Sequence, residues 1–334
     1  MIAPMNLGKL IWLGAGAAAG SYLAYRRRSN LSRQPALLED PRGSVLEPMT
    51  VELEGGELLE VVSVGQGPAF LLVSGLSGDK EVFKYQIGPF SERYKVIAID
   101  LRDSFKGVKA EFDQFARDLA VVLDACGETS AIVLGLSFGA PIAMRFAKLY
   151  PERVSRLILS NALARLDLSH VGFNKTLLIP FARLSSRFLP EFMVRKLARY
   201  WGRLGVWVYD PSPGNDRIVE YELDSPRRVP MSEGTVRMDT FRKLDLRDDL
   251  LSIAQPALVI SGAADGYTPP AWQREIARLL PNSTYVEIPR AGHLALISQA
   301  VTFNKVILDW LAGLEGADQP PSPPPPHPLK GSEG

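Results

Sequence analysis

The chain is short of cysteine, of histidine and of net charge, and each shortage removes a class of protein. Its one cysteine, Cys126, cannot form an internal disulfide, which fits a reducing compartment. Cys126 closes an apolar helical pattern ("FARDLAVVLDAC"), the setting of an inert core thiol. Three histidines occur, His170, His293 and His327; none has metal-ligand spacing, so no metal is expected. No other cofactor is expected either, since the phosphate loop G-x-x-x-x-G-K-[ST] is missing. A net charge of +1, from 38 basic and 37 acidic residues, leaves no electrostatic footprint for nucleic acid. There is no internal repeat. What remains is ordinary for a globular protein, 46% hydrophobic and 22% charged over 334 residues, enough for one large α/β domain or two smaller ones.

Charge is also missing locally. From Leu10 to Tyr25 there is none, and Arg26, Arg27 and Arg28 follow at once. As a helix this run would rise about 24 Å, slightly less than a ~30 Å hydrocarbon core, with Lys9 able to snorkel. Residues 1–28 are therefore read as a signal-anchor helix, with membrane association through residues 7–25. The arginines would then hold a single-pass protein's catalytic domain on the cytoplasmic side. A cleaved secretory signal, which the arginines oppose, and an interfacial or non-spanning segment of a soluble cytoplasmic protein are the alternatives. Residues 29–48 read as a linker with Pro35, Pro41 and Pro48. Residues 315–334, rich in proline and without apolar period, read as a disordered tail.

Between about 49 and 314, apolar runs alternate with helical patterns. "TVELEGGELLEVVSVGQGP" reads as two strands about a Gly-Gly turn. "AFLLVSG", "YKVIAID", "SAIVLGL", "VSRLILSNA", "PALVISGAAD" and "STYVEIP" read as buried strands. "FDQFARDLAVVLDAC", "FGAPIAMRFAKLYP", "PPAWQREIARLLP" and one long "LALISQAVTFNKVILDWLAGL" read as helices. Strands apolar on both faces and separated by helices imply a parallel sheet covered on both sides. Ligands in such sheets sit beyond the strands' carboxyl ends. The rhythm breaks at residues 163–250, basic and aromatic, which divide the core into 49–162 and 251–314 and are expected to lie over the ligand edge as a lid.

Ser137 sits where "AIVLGL" turns into a helix, flanked by Gly135 and Gly139 in G-x-S-x-G. A sharp strand-to-helix turn leaves no room for side chains at those two positions and exposes the hydroxyl. An ordinary helix-capping serine is the plain alternative. A serine nucleophile needs a base. His327 lies in the tail and His170 at the head of the insertion, whereas His293 follows a predicted strand at the edge where Ser137 sits. The base needs an orienting carboxylate. Asp265, ending "ALVISGAAD", completes the order Ser…Asp…His; it is otherwise a turn residue. The residue after the opposite strand is Asn161, with Asp167 further on. Oxyanion donors are expected from the Phe138 N–H and from Leu76 in "LLVSGLSGD", a stretch that could also be a plain glycine turn.

These residues resemble the α/β-hydrolase family, over about residues 50 to 314. The resemblance rests on Gly135-Leu-Ser137-Phe-Gly139, Gly262-Ala-Ala-Asp265, Gly292-His293 and Ser74-Gly75-Leu76. It implies an eight-stranded, mostly parallel sheet with a helical cap, a Ser137–His293–Asp265 triad and an oxyanion hole of the Leu76 and Phe138 amides. The chain departs from the family in two places. Ser74-Gly75 stands where His-Gly is common. The loop "LRDSFKGVKAEFD" replaces an Arg-Gly-x-Gly-x-Ser pattern and brings Asp103 and Glu111. The expected activity is hydrolysis of a small-molecule, lipophilic carboxylic ester through an acyl-enzyme. Thioester, lactone or carbon–carbon hydrolysis on the same triad and a non-catalytic scaffold are the alternatives.

Overall fold

The computed structural model describes residues 46, 48–165, 217–218, 221, 237, 240–241 and 244–317. Their strands are β1 (Met49–Glu52), β2 (Leu58–Val64), β3 (Ala69–Val73), β4 (Lys95–Ile99), β5 (Ala131–Leu136), β6 (Val154–Ser160), β7 (Ala257–Gly262) and β8 (Ser283–Ile288). They form one eight-stranded sheet in the order β1-β2-β4-β3-β5-β6-β7-β8. The β1/β2 and β2/β4 pairs are antiparallel, and every pair from β4/β3 to β7/β8 is parallel. The opening hairpin turns through Gly55 and Gly56, both at positive φ, a conformation other residues adopt only under strain.

The helices are α1 (Lys84–Ser91), α2 (Phe112–Ala125), α3 (Gly139–Leu149), α4 (Arg247–Leu250), α5 (Pro270–Leu279), α6 (Ala295–Ser298) and α7 (Ala300–Ala317). Side chains alternate between the faces of each central strand. On β3, Leu71 and Val73 join the core under α2, α3 and α5, while Phe70 and Leu72 join the core under α1, α6 and α7. This double burial is why the strands read as unbroken apolar runs. Each fully buried Leu, Ile or Phe contributes about 1.5–3 kcal/mol relative to exposure.

Two expectations change, and one helix was not foreseen. The single-pass anchor at residues 7–25, and with it a domain tethered on the cytoplasmic side of a membrane, is withdrawn. No helix among the described residues is long and apolar enough to cross a membrane. Residues 1–45 lie outside those described. The longest described helix, α7, carries Lys305, Asp309 and Glu315 and buries Phe303, Ile307 and Leu311 against the sheet.

The single long final helix is in fact two. Gln299 leaves helical geometry at φ −127°, ψ 43°, and its side-chain amide donates to the Pro289 carbonyl at 3.0 Å. α1 was not foreseen, because Gly88 and Pro89 disguise it. Pro89 has no N–H for the Tyr85 carbonyl one turn back; Asn304 Nδ2 donates to that carbonyl instead, at 2.8 Å.

The expected lid, residues 163–250, lies mostly outside the described residues, as do His170 and Asp167 within it and His327 and the tail beyond residue 317. Its described ends meet. Arg165 and Asp245 form an antiparallel bridge, and the Leu246 N–H donates to the Ala164 carbonyl at 2.8 Å.

Candidate active site

Ser137 occupies the turn between β5 and α3 at φ +52°, a left-handed conformation that costs a non-glycine residue on the order of 1–3 kcal/mol. The surroundings hold it there. Its N–H donates to the Ser160 carbonyl at 2.9 Å, and its own carbonyl accepts the Ala140 N–H at 3.0 Å. A Cβ on Gly135 would lie 2.5 Å from the Gly139 carbonyl oxygen, and one on Gly139 would collide with the Val73 and Ser74 carbonyls. Both glycines are therefore required by space, as the sequence pattern implied. Ser74 is fully buried, with no partner for its hydroxyl among the described residues.

Asp265 and His293 arrive on loops knitted together by backbone bonds. The Ala263 N–H donates to Ile288 at 3.0 Å and the Ala264 N–H to Ala291 at 2.8 Å. Gly262 permits this approach: a Cβ there would lie 2.7 Å from the Ala291 carbonyl oxygen. His293 Nε2 is 2.9 Å from Ser137 Oγ, and His293 Nδ1 is 2.8 Å from Asp265 Oδ2. An ionised Asp265 can only accept, so Nδ1 carries the imidazole proton and Nε2 is left to accept from the serine hydroxyl. The Tyr267 ring packs 5.4 Å from the imidazole, centre to centre.

The carboxylate is buried and richly supplied with donors. Oδ1 accepts the Tyr267 and Thr268 N–H groups at 2.8 and 3.1 Å. Oδ2 accepts Asn161 Nδ2 at 2.7 Å. Thr268 Oγ1 lies 2.6 Å from Oδ2 and 2.9 Å from the Asn161 carbonyl, with one proton to give between them. Burial alone would raise the Asp265 pKa. The charge of His293 and the hydrogen bonds from His293, Thr268 and Asn161 outweigh it and hold the group down at about 2. It is a carboxylate at any working pH.

Asn161, Thr268 and Gln273 are the residues that sequence reasoning missed. Asn161 stands immediately after β6 at φ +48°, and Gln273 ties the Ala162 N–H (2.7 Å) to the Thr268 carbonyl (3.0 Å). Asn161 was noticed only as a position without an acid; its left-handed turn and its amide give it a different task.

The Leu76 and Phe138 N–H groups have no backbone acceptor among the described residues. The Gly75–Leu76 loop lies against the elbow, since a Cβ on Gly75 would sit 3.6 Å from Ser137 Cβ. The Phe138 ring is buried among Phe112, Phe115 and Phe241, with Phe241 edge-on at 4.9 Å. Cys126 takes no part. It caps α2, burial pushes its thiol pKa up, and its carbonyl accepts Lys95 Nζ at 2.7 Å. Among the described residues no cluster of His, Cys, Asp and Glu is arranged to hold a metal ion.

Residues 68–300 match the alpha/beta hydrolase fold family. Over 325 residues, 92% of this chain, the sequence is 26% identical to part of the polyketide synthase ThaQ of Burkholderia thailandensis, and it spans 15% of that protein's length. RutD of Azorhizobium caulinodans, named as a candidate carbamate hydrolase, is 27% identical over 259 residues, which cover 75% of this chain and 94% of RutD. Among solved structures, a thermophilic esterase from Thermogutta terrifontis, with malate bound, gives a TM-score of 0.62 at 26% identity, covering 80% of this chain and 99% of the esterase.

Proposed function

The chain belongs to the alpha/beta hydrolase fold family, and from that premise we propose that it is a serine hydrolase that cleaves carboxylic esters through an acyl-enzyme. One observation carries the reading: the unbroken line from Ser137 Oγ through the His293 ring to Asp265 Oδ2, with links of 2.9 and 2.8 Å. Such a line lets the imidazole take the hydroxyl proton as the oxygen attacks an acyl carbon. Asp265 then faces the imidazolium formed at that moment and holds its ring in place. The tetrahedral oxyanion is received by the Leu76 and Phe138 N–H groups, each contributing on the order of 3 kcal/mol to lowering the barrier. His293 returns the proton to the leaving alcohol, and water repeats the cycle on the acyl-enzyme.

The substrate class follows from weaker support. Residues 174–209, within the 163–250 segment, are rich in apolar and aromatic as well as basic side chains, and the Arg165–Asp245 bridge joins the two ends of the segment. A lid of that character favours an apolar acyl group over a charged one. RutD's name keeps carbamates in view, because a carbamate offers the same acyl carbon to the serine.

A series of p-nitrophenyl esters from acetate to dodecanoate, with a p-nitrophenyl carbamate beside it, tests both parts. The wild type should turn over esters, increasingly so with acyl length, and should react with a fluorophosphonate probe. Ser137→Ala and His293→Ala should do neither. Equal rates for wild type and His293→Ala would remove the imidazole from the mechanism. A folded wild type that takes no fluorophosphonate would leave the non-catalytic scaffold as the better reading.

A further inference from the structure

A fully buried arginine from the 163–250 segment stands against the loop that carries Leu76, and the mechanism above does not use it. One terminal nitrogen of Arg237 donates to the Leu76 and Ser77 carbonyls at 3.0 and 3.2 Å. The other donates to the Leu101 and Arg102 carbonyls at 3.1 and 2.8 Å and to Asp103 Oδ1 at 2.6 Å. One guanidinium thus joins the loop after β3 to the loop after β4, with a carboxylate to balance its charge. A planar fork of donors suits this task; a lysine ammonium does not. Gly78 is shaped to the contact. Its φ is +68°, and a Cβ there would fall 2.5–2.7 Å from the guanidinium atoms.

The consequence falls on the Leu76 N–H. The peptide plane that carries it ends in the Gly75 carbonyl, which accepts the Gly78 N–H at 2.9 Å. The next plane ends in the Leu76 carbonyl, which Arg237 holds. Both planes flanking the Leu76 Cα are therefore pinned, one by the turn itself and one by a residue more than 150 positions along the chain. A few residues on, Phe241 packs its ring edge-on against Phe138 at 4.9 Å, so the same stretch also touches the second expected donor.

We propose that Arg237, anchored by Asp103, is a positioning residue for the oxyanion hole, fixing the Leu76 N–H toward the carbonyl oxygen of the acyl group attacked by Ser137. The inference rests on the serine-hydrolase reading above. It also explains Asp103, one of the acids that set this loop apart from the family pattern. Arg237 touches no reacting atom. It acts by holding backbone, and its loss should be felt where negative charge develops, not where the ground-state ester binds.

The test is kinetic. Arg237→Met, Arg237→Lys and Asp103→Asn are compared with wild type on a p-nitrophenyl ester, with folding followed by circular dichroism and thermal melts. Arg237→Met should lower kcat about 30-fold with KM within about twofold, the pattern of an interaction made only in the transition state. It should weaken inhibition by an alkyl boronic acid, whose serine adduct is tetrahedral, by a similar factor. Arg237→Lys should restore little, and Asp103→Asn should fall between. Unchanged kcat and boronate affinity in folded variants would overturn the inference while leaving the serine-hydrolase reading intact. So would parallel changes in kcat and KM that merely follow the melting temperature. If Arg237→Met does not fold, Asp103→Asn decides by the same ratio. Wild type and Ser137→Ala with equal ester turnover would overturn the underlying reading as well, and that result is visible before any Arg237 variant is made.

Discussion

Two regions along one edge of the sheet bury carboxylates and use them differently. Beyond β7, Asp265 is surrounded by neutral donors and by one imidazole, which passes its contact on to Ser137. Beyond β4, Asp100 accepts the Lys80 ammonium and backbone N–H, both at 3.0 Å, and Lys80 Nζ also reaches Glu60 at 3.0 Å. Close by, Arg102 forks onto Asp118 at 2.6 and 2.7 Å. In this second region each acid is paired with a lysine or arginine side chain. In the first the partner can gain and lose a proton, and a hydroxyl waits on its far side. Burial is common to both; a titratable neighbour with an onward contact makes one of them chemical.

Substitutions should separate the two regions, activity failing at one and stability at the other. The largest effect is expected for Asp265→Asn, which keeps shape and burial but reverses the preference for the Nδ1–H tautomer. Ester turnover should fall about 10³–10⁴-fold in a protein that still folds, as steady-state kinetics and circular dichroism would reveal. Loss of stability with activity intact per folded molecule would erase the contrast. Asp118→Ala probes the other side. It strands the Arg102 guanidinium without its counter-ion and should remove about 3–5 kcal/mol from the urea unfolding free energy, with kcat retained. A smaller effect should follow Thr268→Val, which takes one hydroxyl from the Asp265 carboxylate. A roughly tenfold drop in kcat, about 1.4 kcal/mol of barrier, should come with an unaltered KM.

A last effect concerns pH. Glu81 follows Asp79 in the short 3-10 turn before α1, and burial first, then the Asp79 charge, raises its pKa from 4.5 to about 8. The folded state thus holds this proton more tightly than the unfolded chain. Its stabilising contribution is present below pH 4.5 and is lost as pH rises through 8. Glu81→Gln should match wild type near pH 4.5 and become progressively the more stable of the two up to pH 8, in urea midpoints measured across that range. A constant difference across it would mean that Glu81 titrates normally.

Strands and chemical residues were legible to different depths. β3 to β7 announced themselves because both faces are buried, so polar residues stand only near the strand ends, as Lys95, Arg156 and Ser261 do. Ser137 was legible because its turn demands glycines at two fixed neighbours, a local steric rule. Asp265 and His293 were legible through their position after strands and their order in the chain. α1 was not, because Pro89 breaks the helical ladder and a residue on α7 repairs it. The break at Gln299 was hidden for a similar reason, its stabilising contact lying with Pro289. Asn161, Thr268, Gln273 and Arg237 carry no spacing rule at all. An amide, a hydroxyl or a guanidinium acquires its meaning from the carbonyl or carboxylate it meets.

Alone, then, the amino-acid order determined the layering of the sheet, the sharp turn at Ser137 and which three side-chain types could share a proton path. Each of these depends on interactions between near neighbours in the chain or on the periodicity of apolar residues. Only the tertiary structure decided that Asn161 and Thr268 surround Asp265, and that Arg237 from a distant segment grips the loop bearing Leu76. The Asn161 and Arg237 contacts bridge more than a hundred positions, and they form because the parallel sheet stacks its strand ends along one edge, where carbonyls and a buried carboxylate must find donors.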